Sequence, residues 1–147
     1  MCGVAGIFNL DGRPVSRPSI ERMTDALAHR GPDGAGIWID GAIGLGHRRL
    51  AIRDLSERGR QPMTDRTGRI TVTYNGEIYN DRALRQRLAG EAGEPFRSSC
   101  DSEVIGPAYR HWGRAAFDRF RGMFAIGLWD AERGELVLAR EIGRAHV

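Results

Sequence analysis

The sequence predicts one α+β layered domain, and three observations carry that prediction. Runs of β-leaning apolar residues are grouped apart from runs at helical spacing, which favours layers of antiparallel strands and helices over an alternating βαβ fold. At 147 residues the chain suits a single domain that buries roughly two-thirds of the surface its unfolded form exposes. No internal repeat, low-complexity tract or linker divides it.

Residues 3–9 are apolar with small side chains and close on Asp11-Gly12, the pattern of a strand entering a turn. From Ser16, Pro18 suits an early helical position, Ile20, Met23 and Leu27 recur at helical spacing, and Gly31-Pro32 stops the pattern. Residues 35–39 and 42–52 read as strands parted by Asp40-Gly41, and 70–74 as another that follows Thr67-Gly68 and ends at Asn75-Gly76. Asn80 can cap a helix through Leu84 and Leu88. Asp101 can cap a second through Val104 and Ile105, which Gly106-Pro107 should kink or shorten. Residues 123–129 and 136–139 flank a loop at 130–134, a hairpin.

Composition narrows the function classes. Hydrophobic residues make up 41% and charged residues 28%, near the averages for globular domains. No apolar run approaches the eighteen or so residues of a spanning helix, and the N-terminus lacks a charged region followed by an apolar stretch, so a cytoplasmic protein without a membrane partner is expected. The two cysteines, Cys2 and Cys100, are too few for a disulfide framework. A pI near 9.4 invites a nucleic-acid-binding reading. The net charge is only +3, however, and acidic residues are interspersed among the 22 basic ones, all arginine, so no basic stripe forms.

Chemistry concentrates in a few places. Once the initiator methionine is cleaved, Cys2 carries an α-amino group beside its own thiol, and with a pKa near 7.7–8.0 that amine can take the thiol proton near neutral pH. The following Gly3-Val4-Ala5-Gly6-Ile7 keeps side chains small where substrate must approach. Asn75-Gly76 can be a plain turn, or can offer a side-chain amide and a backbone N–H to a tetrahedral oxyanion. Arg49 and Asp101 together can clamp the carboxylate and ammonium of an amino acid, although Asp101 also suits a helix cap.

These segments do not stand alone. Cys2-Gly3-Val4-Ala5-Gly6-Ile7, His29-Arg30-Gly31-Pro32-Asp33, Gly46-His47-Arg48-Arg49-Leu50-Ala51-Ile52 and Gln61-Pro62-Met63 are followed by Asn75-Gly76-Glu77-Ile78-Tyr79-Asn80, Asp101-Ser102-Glu103-Val104-Ile105 and Arg121-Gly122-Met123-Phe124-Ala125. In this order they resemble the class II glutamine amidotransferase domain of asparagine synthetases, over residues 1–140. The resemblance implies an N-terminal-nucleophile hydrolase fold, a four-layer αββα sandwich of antiparallel sheets. It implies that Cys2 hydrolyses L-glutamine to glutamate and ammonia, with Asn75 and Gly76 as the oxyanion hole and Arg49, Leu50, Ile52, Glu77 and Asp101 contacting the substrate. No metal or cofactor is expected in this segment. A C-terminal synthetase domain would bind ATP and Mg2+ and use the ammonia to convert aspartate to asparagine, or to amidate another carboxylate in asparagine-synthetase-like enzymes. No Ser-Gly-Gly-type pyrophosphate loop occurs in the chain.

One departure concerns the last residues. After Leu138-Ala139-Arg140 the family would continue with aspartate and further strands, whereas residues 141–147 read Glu-Ile-Gly-Arg-Ala-His-Val. That heptapeptide is one translation of GAGATCGGAAGAGCACACGTC, which contains the start of a widely used short-read sequencing adapter. The expectation is a non-native tail on a C-terminally incomplete domain that is weakly active or inactive alone.

Overall fold

The computed structural model describes residues 1–52 and 55–141. Two antiparallel sheets stack face to face with helices outside them. Sheet A has the order β1-β3-β2, from β1 (Gly3–Phe8), β2 (Gly34–Asp40) and β3 (Ile43–Arg49). Sheet B has the order β4-β5-β6-β7, from β4 (Met63–Thr64), β5 (Ile70–Ile78), β6 (Gly122–Asp130) and β7 (Glu135–Glu141). Helix α1 (Arg17–Ala26) covers sheet A; α2 (Asp81–Ala92) and α3 (Ile105–Trp112) cover sheet B. The predicted αββα layering is what the chain adopts.

Strand alternation assigns the two faces of sheet B. Ile70, Val72 and Tyr74 on β5, with Phe124, Ile126 and Leu128 on β6, pack against Leu84, Leu88, Ile105 and Ala108 of the helices. Leu88, Ile105 and Leu128 are fully buried, and each such side chain stabilises the fold by about 1.5–3 kcal/mol. The opposite face meets sheet A, where Phe8 and Trp129 stack edge to face at 5.3 Å beside Ile43 and Leu45. In that layer the Thr73 hydroxyl donates to the Gly46 carbonyl at 3.1 Å and lies 3.2 Å from His47 Nδ1, linking the sheets by polar contacts.

Several sequence expectations change in detail. In α1 the buried residues are Ile20 and Thr24, while Met23 is 42% exposed. Thr24 satisfies its hydroxyl on the Ile20 carbonyl, four residues back, so a polar residue can occupy the buried stripe. β3 ends at Arg49 rather than at 52. β5 runs on through Asn75-Gly76 to Ile78, so that step is not the strand's end. Asn80 precedes α2 without a side-chain cap bond; its amide spans instead to Arg119 O and Arg121 N, both at 2.9 Å. Asp101 is not a cap either, because Cys100 precedes the 3-10 turn Asp101–Val104 and the Asp101 carboxylate turns to β5. Gly106-Pro107 does not break α3: it falls in the first turn, where a missing N–H breaks no intrahelical bond. The two-residue β4 and the 3-10 segments Glu57–Gly59 and Gly113–Arg119 carried no periodic signal long enough to read. Of the predicted tail, Glu141 pairs with Phe124 in β7, and residues 142–147 lie outside the described residues.

Candidate active site

Every residue singled out from the sequence borders one cleft. Cys2, Arg49, Leu50, Ile52, Asn75, Gly76, Glu77 and Asp101 line a cavity of about 240 Å3 at the end of the sandwich where β1, β3 and β5 meet. Ile52 is 74% exposed at its mouth and Asp101 only 4% exposed at its floor.

The place of Cys2 follows from sheet A. Cys2 immediately precedes β1, whose Gly3 pairs with Arg48 of β3. The Leu50 backbone then holds the thiol, its N–H 3.3 Å and its carbonyl oxygen 3.7 Å from Cys2 Sγ. The segment after α1 braces this arrangement: Arg30 Nε donates to the Cys2 carbonyl at 3.2 Å, Asp33 N–H donates to the Arg49 carbonyl at 3.0 Å, and Asp33 Oδ2 accepts from Ala51 N–H at 2.8 Å. The His29 to Asp33 motif thus fixes residues 49–51 against Cys2. With Met1 attached, the Cys2 nitrogen is an amide and has no basic lone pair.

The facing side of the cleft is built by β5. Its N–H groups point alternately toward β6 and toward the opposite edge, where β4 reaches only as far as Val72. Tyr74 N–H, on that edge, donates to Gln61 Oε1 at 2.6 Å; Ile78 N–H donates to Asp101 Oδ2 at 2.8 Å. Gly76 lies midway, so by the same alternation its N–H faces the cleft between two capped neighbours. A Cβ on Gly76 would overlap the Met123 carbonyl oxygen, and its φ of 154° is one that side-chain-bearing residues rarely adopt, so glycine is required there. Asn75 projects onto the face turned to sheet A, as Thr73 does, and its amide makes no hydrogen bond among the described residues.

Arg49 sits at the end of β3 with Nη1 on the Ser56 carbonyl at 3.0 Å. Next to it in the sheet, His47 is 1% exposed and its pKa is lowered to about 4, first by burial and then by the Arg49 charge. It is therefore a neutral imidazole. Two cleft residues received no role from the sequence. Gln61 belongs to a quoted motif but nothing in it foretold the bond to Tyr74, and the Tyr74 phenol, 2.6 Å from Asp101 Oδ2, reads as ordinary strand core. Among the described residues no group of three or more His, Cys, Asp or Glu side chains could hold a metal ion, and no helix is long and apolar enough to cross a membrane.

Comparison with known proteins agrees with this geometry. The family model described as a glutamine amidotransferase domain matches residues 1–144. Asparagine synthetase [glutamine-hydrolyzing] 3 of Bacillus subtilis is 38% identical over 144 residues, covering 96% of this chain and 23% of its own length. A putative asparagine synthetase of Methanocaldococcus jannaschii is 38% identical, with 96% and 30% covered, and amidase chry2 of Gibberella zeae is 36% identical, with 96% and 22% covered. The chain thus spans less than a third of these relatives. Among solved structures, the B. subtilis glutamine phosphoribosylpyrophosphate amidotransferase superposes with a TM-score of 0.75 at 21% identity, over 96% of this chain and 37% of that one, a likeness of fold.

Proposed function

The chain belongs to the glutamine amidotransferase domain family, and from that premise we propose that it is the glutaminase part of an asparagine synthetase, with Cys2 as nucleophile. The observation that carries the proposal is convergence: Cys2, from the start of sheet A, shares one cleft with Asn75 and Gly76 of sheet B and with a cation and an anion suited to an amino acid, Arg49 and Asp101.

Removal of Met1 frees the Cys2 amine, which takes the thiol proton as sulfur attacks the side-chain amide carbon of glutamine. The carbonyl oxygen becomes an oxyanion held by Gly76 N–H and the Asn75 amide. The new ammonium passes its proton to the departing nitrogen, the carbon–nitrogen bond breaks, and ammonia leaves a cysteinyl thioester. Water, deprotonated by the same amine, attacks the thioester, and glutamate departs with the thiol restored. Arg49 takes the substrate α-carboxylate and Asp101 the α-ammonium, with Leu50, Ile52 and Glu77 along its length.

The ammonia would serve a synthetase domain that binds ATP and Mg2+, with aspartate as acceptor. The similarity to amidase chry2 keeps another acceptor as a second reading, because that choice belongs to sequence beyond this domain. A nucleic-acid role has less support: Arg69, Arg85 and Arg110 are paired with acidic side chains.

In the full-length protein carrying this domain, Cys2→Ala should abolish glutamine hydrolysis while ammonia-dependent amidation continues. Loss of both activities, or of neither, would overturn the proposal. Mass spectrometry of active protein should find Cys2 as the first residue; retained Met1 would exclude the amine as base.

A further inference from the structure

Asp101 is held more firmly than a surface carboxylate. Its Oδ2 accepts the Tyr74 hydroxyl at 2.6 Å and the Ile78 N–H at 2.8 Å, and both donors belong to β5. Tyr74 is 3% exposed and Asp101 4%. Burial raises the phenol's pKa far beyond its ordinary value, and the negative charge of Asp101 and the hydrogen bond between them raise it further, so the hydroxyl is a permanent donor. The ring packs in the same layer as Val72 and Ile126, where phenylalanine would fill the space equally well. Only the hydroxyl oxygen needs another explanation, and its partner is the carboxylate on the cleft floor.

We propose that Tyr74 is a positioning residue that makes the site selective for the free α-ammonium group of glutamine, by locking the Asp101 carboxylate in the orientation that meets it. The inference rests on the reading of Asp101 as the ammonium's partner. A carboxylate fixed by two donors on one oxygen cannot swing to suit a neutral or shifted group, so a substrate lacking the ammonium leaves a buried charge uncompensated. The geometry also joins the two ends of the substrate. β5 carries Tyr74 and Ile78, which orient Asp101, and between them Asn75 and Gly76, which face the reacting amide. One strand therefore sets the distance between the recognised ammonium and the attacked carbon.

The test is steady-state hydrolysis by the full-length protein of L-glutamine and of 4-carbamoylbutanoate, the same molecule without its amino group. Tyr74→Phe should raise the KM for L-glutamine about tenfold, the loss of one hydrogen bond to a charged group, with a far smaller change in kcat. It should leave the KM for 4-carbamoylbutanoate unaltered, so that discrimination falls. Equal losses on both substrates, or no loss on either, would overturn the inference. Asp101→Asn separates the two levels. If it abolishes discrimination while Tyr74→Phe preserves it, the positioning role fails and the ammonium reading stands. If Asp101→Asn itself preserves discrimination, the ammonium reading fails and the inference with it. Should Tyr74→Phe not fold, 3-fluorotyrosine at position 74 supplies a stronger donor of nearly the same shape. It should shift the KM for L-glutamine and not that for 4-carbamoylbutanoate, and an equal shift for both overturns the proposal.

Discussion

At the scale of single residues, Arg49 and Asn75 share a cleft but should fail differently when removed. A guanidinium on the α-carboxylate binds ground state and transition state alike, so Arg49→Ala should raise KM and largely spare kcat. An oxyanion donor acts as charge develops, so Asn75→Ala should lower kcat by roughly a hundredfold or more. A rise in KM alone for Asn75→Ala would refute its assignment. His47 provides a pH test. Its pKa is about 4 in the fold against 6.5 unfolded, so below pH 6.5 the unfolded chain binds a proton that the folded one refuses. The stability due to neutral His47 is complete above pH 6.5 and is lost as pH falls toward 4, by about 3 kcal/mol in all. The stability difference between the wild type and His47→Gln should shrink across that interval; a constant difference in thermal melts would mean His47 does not titrate there. Residue identities at this site were legible because the motifs name them. The bond from Tyr74 to Asp101 was not, because it spans 27 positions and ring burial hides the hydroxyl's purpose.

Elements show where local signals lose to pairing. Asn75-Gly76 carries a strong turn signal, yet both residues continue β5, because Gly76 has no Cβ to hold off Phe124 and every residue through Ile78 finds a partner on β6. The sequence places a strand end at this step, whereas β5 continues to Ile78. In the same way Gly106-Pro107 looks like a helix breaker and proves to lie in a helix's first turn, directly after the 3-10 turn whose Asp101 carboxylate bonds to β5. Strands 1 to 3 and the β6–β7 hairpin were legible because their turns carry glycine at Gly12, Gly41 and Gly134, all with positive φ. The seat of α1 on sheet A depends on a close approach that no periodicity announces: a Cβ on Gly46 would overlap Thr24 Oγ1. Gly46→Ala should therefore destabilise by about 1–3 kcal/mol through overpacking. Thr24→Ala, which removes the obstructing oxygen, should recover part of that loss in the double variant. Strict additivity in denaturant melts would show that the two do not meet.

For the whole molecule, the question is what the β7 edge of sheet B does. β7 is the last strand of that sheet among the described residues, and Leu138 is 76% exposed on it. Leu136 and Leu138 line an apolar groove of about 430 Å3 between the sheets, together with Val4 and Phe8 of β1. An exposed apolar edge of this kind is a template for pairing with another chain. The relatives that match are more than three times as long, and we propose that further chain normally covers this edge. Expressed as 147 residues, the protein should self-associate with increasing concentration in sedimentation velocity and hydrolyse glutamine poorly. Catalytic groups must stay within about half an ångström of productive geometry, and only β6 lies between the edge strand β7 and β5 at the cleft. Leu138→Lys should suppress the association by placing a charge on the edge while changing stability by no more than about 0.5 kcal/mol. Replacing residues 141–147 with a family continuation should suppress it too and restore turnover. The distinction between the two variants is decisive, because the lysine repairs solubility alone whereas the continuation repairs solubility and catalysis together. A monodisperse 147-residue chain that matches the extended protein in glutamine turnover would show that the edge needs no cover and that the domain is sufficient as it stands.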